Sequence, residues 1–385
     1  MIKRKGKKTK STRQSIARGR KKLAPKKAVA GVGLIKPEEN PIISPVLENG
    51  WEAWQTFNPG VILLEDSNGS PAKTSKIYFL YRAIGEDGIS RLGYAASDDG
   101  FIINERLSSP VYEHKLIKTL KESSNFLQSR TSFIYYSFAS GGSLGGSEDP
   151  RPVRVNGEDT IYMTYTACDE GLRVALTSIK VRDFLQKKWR WSAPKLISPP
   201  NEVHKNWVLF PEKIKGKYAL LTSINPEVLI EYLDSLEFKE GEFIKSTYGG
   251  ACRKNCWDTY VRGAGPPPIK TKYGWLLFYH ATDKSDPGKY KVGAMLLDLN
   301  NPTKVLHRSP EPILEPTEVY ENNGFKGGVV YASGAVVKDD KLLVYYGAAD
   351  SYIGVAYADF NRFIEEFIKG AKIKLERKPL KKKKG

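Results

Sequence analysis

A chain of 385 residues that is 40% apolar and 11% aromatic is long enough to bury a substantial core, as one large domain or two ordinary ones. No apolar run approaches the roughly 18 residues that would cross a bilayer, which argues against a membrane-spanning chain. The net charge of +18 sits at the ends: residues 1–30 hold thirteen Lys/Arg and no acid, residues 369–385 carry +8, and the body between them is slightly acidic at −3.

Residues 1–30 cannot bury enough apolar surface to offset ordering, so they read as a flexible basic tail. The same holds for residues 369–385. Either tail is a candidate contact for a polyanion, or simply a solvated end. The basic residues are not interleaved with stacking aromatics, which argues against a nucleic-acid enzyme. The N-terminus lacks the apolar stretch of a secretory signal, so cytoplasmic residence is expected.

Residues 31–368 carry one pattern five times. It is a small or Pro-containing start, a strand, a polar turn, and an apolar strand rich in Tyr. The copies start at Asn58-Pro59-Gly60, Asp149-Pro150-Arg151, Phe210-Pro211-Glu212, Pro267-Pro268-Ile269 and Ser333-Gly334-Ala335. A third strand follows in most copies, as in Leu92–Ser97 or Val292–Leu297. Short strands repeated in this way predict an all-β, five-bladed β-propeller flanked by the flexible basic tails. Helical periodicity is confined to Arg106–Glu122 and Arg362–Lys369, and Lys115–Gly146 reads as a long inserted loop.

A propeller brings equivalent repeat positions to one central channel. Asn58, Asp149, Arg151, Lys205, Arg262, His280 and Asp350 would therefore share a pocket. Glu148 and Asp149 are adjacent in a strand, so only one of them should face the channel. Arg151 is placed to hold a carboxylate or an anionic ligand. Trp51, Trp54, Trp207, Trp257 and Tyr260 are candidates to stack on sugar faces or to pack in the core. Cys252 and Cys256 lack a second ligand pair, so no metal site and no cofactor are expected.

The chain resembles glycoside hydrolase family 130 over roughly residues 38–360. The resemblance rests on Phe57-Asn58-Pro59-Gly60, Tyr81-Arg82-Ala83, Ser147-Glu148-Asp149-Pro150-Arg151, Leu209-Phe210-Pro211-Glu212, Gly263–Ile269, Gly274–His280 and Tyr345–Asp350. It implies a five-bladed propeller acting on β-mannosides, with Asp149 as the general acid working through a sugar hydroxyl. It further implies that Asn58, Arg82 and Asp350 line the mannose subsite. Lys205 and His280, with Arg262 nearby, fall at the phosphate pocket. Ser223 stands where these phosphorylases keep a phosphate-gripping arginine.

Three functions follow as expectations. The first is inverting phosphorolysis of a β-mannoside oligosaccharide or glycoconjugate to α-mannose 1-phosphate, with inorganic phosphate as co-substrate. The second is inverting hydrolysis, with Glu227 or Asp258 activating water. The third is a non-catalytic glycan-binding propeller. Assembly into an oligomer is left open.

Overall fold

The computed structural model describes residues 33–66, 74–115, 140–169, 171–247, 252–370 and 376–377. In chain order its strands begin with β1 (Ile35–Lys36), β2 (Gln55–Asp66), β3 (Thr74–Ile84), β4 (Ile89–Ser97) and β5 (Glu105–Arg106). Next come β6 (Gly145–Arg154), β7 (Thr160–Cys168), β8 (Leu172–Lys180), β9 (Lys195–Leu196), β10 (Val208–Leu209), β11 (Tyr218–Ser223) and β12 (Leu229–Leu233). The last are β13 (Tyr260–Ala264), β14 (Ile269–Thr271), β15 (Gly274–Asp283), β16 (Asp286–Leu297), β17 (Val305–Arg308), β18 (Val330–Lys338), β19 (Lys341–Ala348), β20 (Tyr352–Asp359) and β21 (Glu376–Arg377).

These form five successive antiparallel blades, β2–β5, β6–β9, β10–β12, β13–β17 and β18–β20. The fold is the five-bladed β-propeller. β1 pairs antiparallel with β20, Ile35 opposite Tyr357, so a strand from the start of the described chain completes the last blade. A short parallel pairing of β4 with β6 joins the first two blades.

Five contacts link successive blades in a closed cycle. Gly60 lies so close to the second blade that a Cβ there would stand 2.3 Å from the Pro150 carbonyl. Arg151 Nη2 donates to Asn206 Oδ1 at 2.8 Å, and Asn206 Nδ2 donates to the Arg262 carbonyl at 3.1 Å. His280 Nε2 donates to the Ala332 carbonyl at 2.7 Å, and Ser333 Oγ donates to the Pro59 carbonyl at 3.0 Å. Replacing Gly60 with Ala is expected to lower stability by about 1–3 kcal/mol, read as a drop in Tm, because backbone must give way. An unchanged Tm would contradict this close approach.

A second repeated device locks three of the blades from within. The buried middle-strand tyrosines Tyr81, Tyr279 and Tyr346 lie opposite Gly93, Gly293 and Gly354, and each hydroxyl donates to a buried carboxylate at 2.8 Å. The carboxylates are Glu52, Asp258 and Glu321, and their cationic partners are Arg106, Arg308 and Lys36. Trp51 and Trp257 stack on Tyr81 and Tyr279 in the same manner, and Trp207 is buried. Trp51, Trp207 and Trp257 are therefore core residues, not sugar platforms.

Several expectations are revised. Arg106 ends β5 and the described residues after it form no helix, because the periodic apolar side chains Leu107, Val111 and Tyr112 pack on the first two blades. The helix expected near the C-terminus is present as Phe360–Ile368. β21 pairs in parallel with β1, so the segment after residue 369 is in part a strand of the last sheet. Residues 1–32, most of the loop after Lys115 and most of 371–385 lie outside the described residues, and with them the polyanion contact expected of the tails. No helix among the described residues is long and apolar enough to cross a membrane.

Candidate active site

The inner strands are not regular at the point where they meet. β2, β6, β13 and β18 each carry a register shift, between Phe57 and Gly60, Glu148 and Arg151, Val261 and Gly263, and Ala332 and Gly334. A bulge of this kind re-aims one side chain out of the pleat. At the first two it is Asn58 and Asp149, with φ of 45° and 51°, in the left-handed region that Asn and Asp tolerate better than other side chains. The following Pro59 and Pro150 have no N–H to leave unpaired where the ladder breaks. Asp350, with φ of 48°, is aimed by the turn between β19 and β20.

These side chains line one cavity of about 450 Å³, together with Arg82, Lys205 and Arg262. Asn58 Nδ2 donates to Asp149 Oδ1 at 2.8 Å, and Arg82 Nη1 reaches the same oxygen at 3.3 Å. Arg82 Nη2 also contacts Glu148 at 3.1 Å and donates to the Ser140 carbonyl. Lys205 Nζ holds the other Glu148 oxygen at 3.1 Å. Asp149 lines the cavity and Glu148 does not, as strand alternation requires. Both nonetheless converge on one guanidinium, which alternation alone would forbid; the bulge turns Asp149 back toward it.

Burial would raise the Asp149 carboxyl, but the charge of Arg82, then Lys205, the Asn58 hydrogen bond and Arg151 hold it below its usual value. Asp350 goes the other way. Burial pushes it up to about 6, against the pull of Lys326 and Arg82. The cavity thus contains two carboxylates whose environments drive their pKa values apart.

Arg151 and His280 do not line the cavity; they lie one layer beneath it. Arg151 Nη2 binds Asn206 and, at 3.1 Å, the hydroxyl of Tyr331, which itself donates to Asn206 Oδ1 at 2.6 Å. Tyr331 faces the cavity, and the His280 ring stacks under it with centroids 3.7 Å apart. Burial, reinforced by Arg151, lowers His280 to about 3. Because Nε2 donates to a carbonyl, the neutral ring keeps Nδ1 as an acceptor. His280 therefore cannot be a cationic phosphate ligand here; it supports Tyr331.

The other sequence candidates fall elsewhere. Asp258 is fixed by Arg253, Arg308 and Tyr279, and neither it nor Glu227 lines the cavity. Trp54 and Tyr260 are also outside it; its aromatic lining is Phe57, Tyr290 and Tyr331. Ser223 ends β11 beside a separate void of about 30 Å³, which is lined in part by Lys205, Asn206 and Arg262. Cys252 and Cys256 are free thiols. Asn206, Tyr290, Lys326 and Tyr331 line the cavity and were missed. Asn206 adjoins Lys205 and Tyr331 lies two residues before a repeat start, so adjacency was the available signal for both. Lys326 and Tyr290 had none, since their link is spatial: Lys326 and Arg262 both lie against the Tyr290 ring, at 4.9 and 5.5 Å.

A neutral hydroxylated ligand suits the carboxylate–amide–guanidinium cluster of Asp149, Asn58 and Arg82, and an anion suits the cations beside it. Known proteins point the same way. A family model described as beta-1,4-mannooligosaccharide phosphorylase matches residues 29–368. A 1,2-beta-oligomannan phosphorylase of Thermoanaerobacter sp. (strain X514) is 36% identical over 339 residues, covering 84% of this chain and 97% of its own. The solved beta-1,2-mannobiose phosphorylase of Listeria innocua, in complex with beta-1,2-mannobiose, is 25% identical with a TM-score of 0.63, covering 87% of this chain and 99% of that one. A further structure is described under glycoside hydrolases of this family that target beta-1,2 mannosidic linkages in Candida mannan. It is 26% identical with a TM-score of 0.63, over 87% of this chain and 95% of that one. With its family model spanning nearly all of the propeller, this chain belongs to glycoside hydrolase family 130.

Proposed function

We propose that the protein phosphorolyses β-mannosides, releasing α-mannose 1-phosphate and a shortened acceptor, with β-1,2 linkages preferred. The observation that carries this reading is the charge around the cavity. Five cationic side chains, Arg82, Arg151, Lys205, Arg262 and Lys326, stand in or against it, facing Glu148, Asp149 and Asp350. An excess of cations beside these three carboxylates suits a sugar and an anion bound together.

In the reaction, a phosphate oxygen attacks the anomeric carbon on the face opposite the leaving group. The C1–oxygen bond breaks, and the departing oxygen receives a proton originating from Asp149, relayed by a sugar hydroxyl. Asn58, Arg82 and Asp350 hold the mannose; Lys205, Arg262 and Lys326 hold the anion, with Arg151 behind them. The preference for β-1,2 linkages draws on the oligomannan and mannobiose phosphorylases to which the chain is similar.

Hydrolysis is a second reading, favoured by one observation: Ser223 brings no charge where an arginine would grip phosphate. It would then fall to Asp350 to activate water, since no other carboxylate among the described residues lines the cavity with Asp149. Incubation with β-1,2-mannobiose, with and without inorganic phosphate, separates the two. Phosphorolysis predicts α-mannose 1-phosphate only when phosphate is present. Free mannose released at full rate in phosphate-free buffer would establish the hydrolase instead.

A further inference from the structure

We infer that a second cavity beside the active site is a distal sugar subsite that sets the preferred length of the oligosaccharide. This rests on the β-mannoside reading above and extends it. The cavity, about 330 Å³, shares Leu172 and Val203 with the central one, so the two adjoin across an apolar ridge. Its polar lining comes from His114, Asp169, Arg173 and Glu202.

Three of these groups are anchored from behind. Tyr112 donates its hydroxyl to Tyr165 at 2.8 Å, so Tyr165 must spend its own proton on His114 Nδ1, 2.8 Å away. His114 is neutral, its pKa lowered by burial despite Asp169, and the tautomer is thereby fixed with the proton on Nε2. That N–H lies toward Asp169, with Nε2 4.0 Å from Oδ2. Arg173 commits Nε and Nη2 to the Ser198 carbonyl. Glu202 is oriented by His204 at 2.8 Å.

The result is a small chamber with oriented donors and acceptors and an apolar wall. Two carboxylates against one guanidinium make it a poor place for phosphate or any anion. A neutral polyol, whose hydroxyls both donate and accept and whose C–H faces pack on Leu172 and Val203, fits this lining. A sugar chain whose first units occupy the central cavity would continue here.

The test uses two variants outside the central cavity. Asp169→Ala removes an acceptor, and Gly171→Phe adds bulk to the chamber's lining at a position where a Cβ meets nothing within 4 Å. Phosphorolysis of β-1,2-mannobiose and β-1,2-mannotetraose is measured for each. The kcat/KM for the tetraose should fall at least about tenfold while that for the biose stays within about twofold. Equal losses for both sugars, or no loss for either, would overturn the subsite.

Calorimetric titration with the same sugars in phosphate-free buffer gives a readout independent of turnover. The wild-type protein should bind the tetraose more tightly than the biose, and both variants should lose that difference. This outcome without turnover would keep the subsite and reject phosphorolysis. Affinity that does not depend on length would reject the subsite, whatever the turnover.

Discussion

Turnover of β-mannosides by the Asp149→Asn variant is expected to fall by about 10²–10⁴-fold in kcat, with the fold intact. Asn is isosteric and tolerates the left-handed backbone of this bulge, so the 2.8 Å contact from Asn58 has an acceptor to meet. Arg82 keeps Glu148 as a charged partner at 3.1 Å, so its guanidinium is not left buried and unpaired. What the variant loses is the transferable proton. The cationic neighbours of Asp149 favour its ionised form. Phosphate binding beside Lys205 adds negative charge and competes for those cations, which raises the carboxyl toward the protonated state the reaction requires. On the phosphorolysis proposed above, the co-substrate would thus arm the acid. An aryl β-mannoside with an acidic phenol leaving group needs little protonation and should recover most of the lost rate. Equal loss on aryl and natural substrates, or a variant with near-normal kcat, would remove Asp149 from the role of acid.

Four of the five blades were legible because they repeat a local device. Pro or Gly sits at the bulge of the inner strand, an apolar strand follows, and a Tyr lies opposite a small residue of the next strand. The third blade shows the limit: its inner strand is only Val208–Leu209, and its third strand, Leu229–Leu233, is half exposed, so neither stands out as a repeat. Asn58, Arg82, Asp149, Lys205, Arg262 and Asp350 could be grouped from their places in the repeats and motifs, because ring symmetry brings equivalent positions together. Depth was not legible. Arg151 and His280 hold equivalent positions too, yet a bulge decides whether a side chain enters the cavity or lies under it, and bulges leave no periodic trace. The charge of His280 was equally hidden, since burial and Arg151 decide it.

Replacing Asp350 with Asn should weaken sugar binding and, above pH 6, make the protein more stable. The Asp350 carboxyl is raised from 3.8 to about 6 in the folded protein, chiefly by burial. The native state therefore holds more protons than the unfolded chain between about pH 4 and 6, and stability drains away as pH rises through that window. Above it the full penalty is present, roughly 2–3 kcal/mol, since a difference of one in pKa is worth about 1.36 kcal/mol. Asn carries no charge, and it accepts the φ of 48° at this position as readily as Asp. The difference in Tm between variant and wild type should be near zero at pH 4 and grow to several degrees by pH 7. A Tm difference that is flat with pH, or that reverses sign, would show that this carboxyl is not held under strain. The functional half of the prediction runs opposite: losing a charge-assisted bond to a sugar hydroxyl should raise KM for β-1,2-mannobiose by about 10–100-fold, the equivalent of roughly 1.5–3 kcal/mol. The buried carboxylate is then a destabilising group kept for binding, and the ligand that satisfies it should restore the wild-type Tm at neutral pH by mass action.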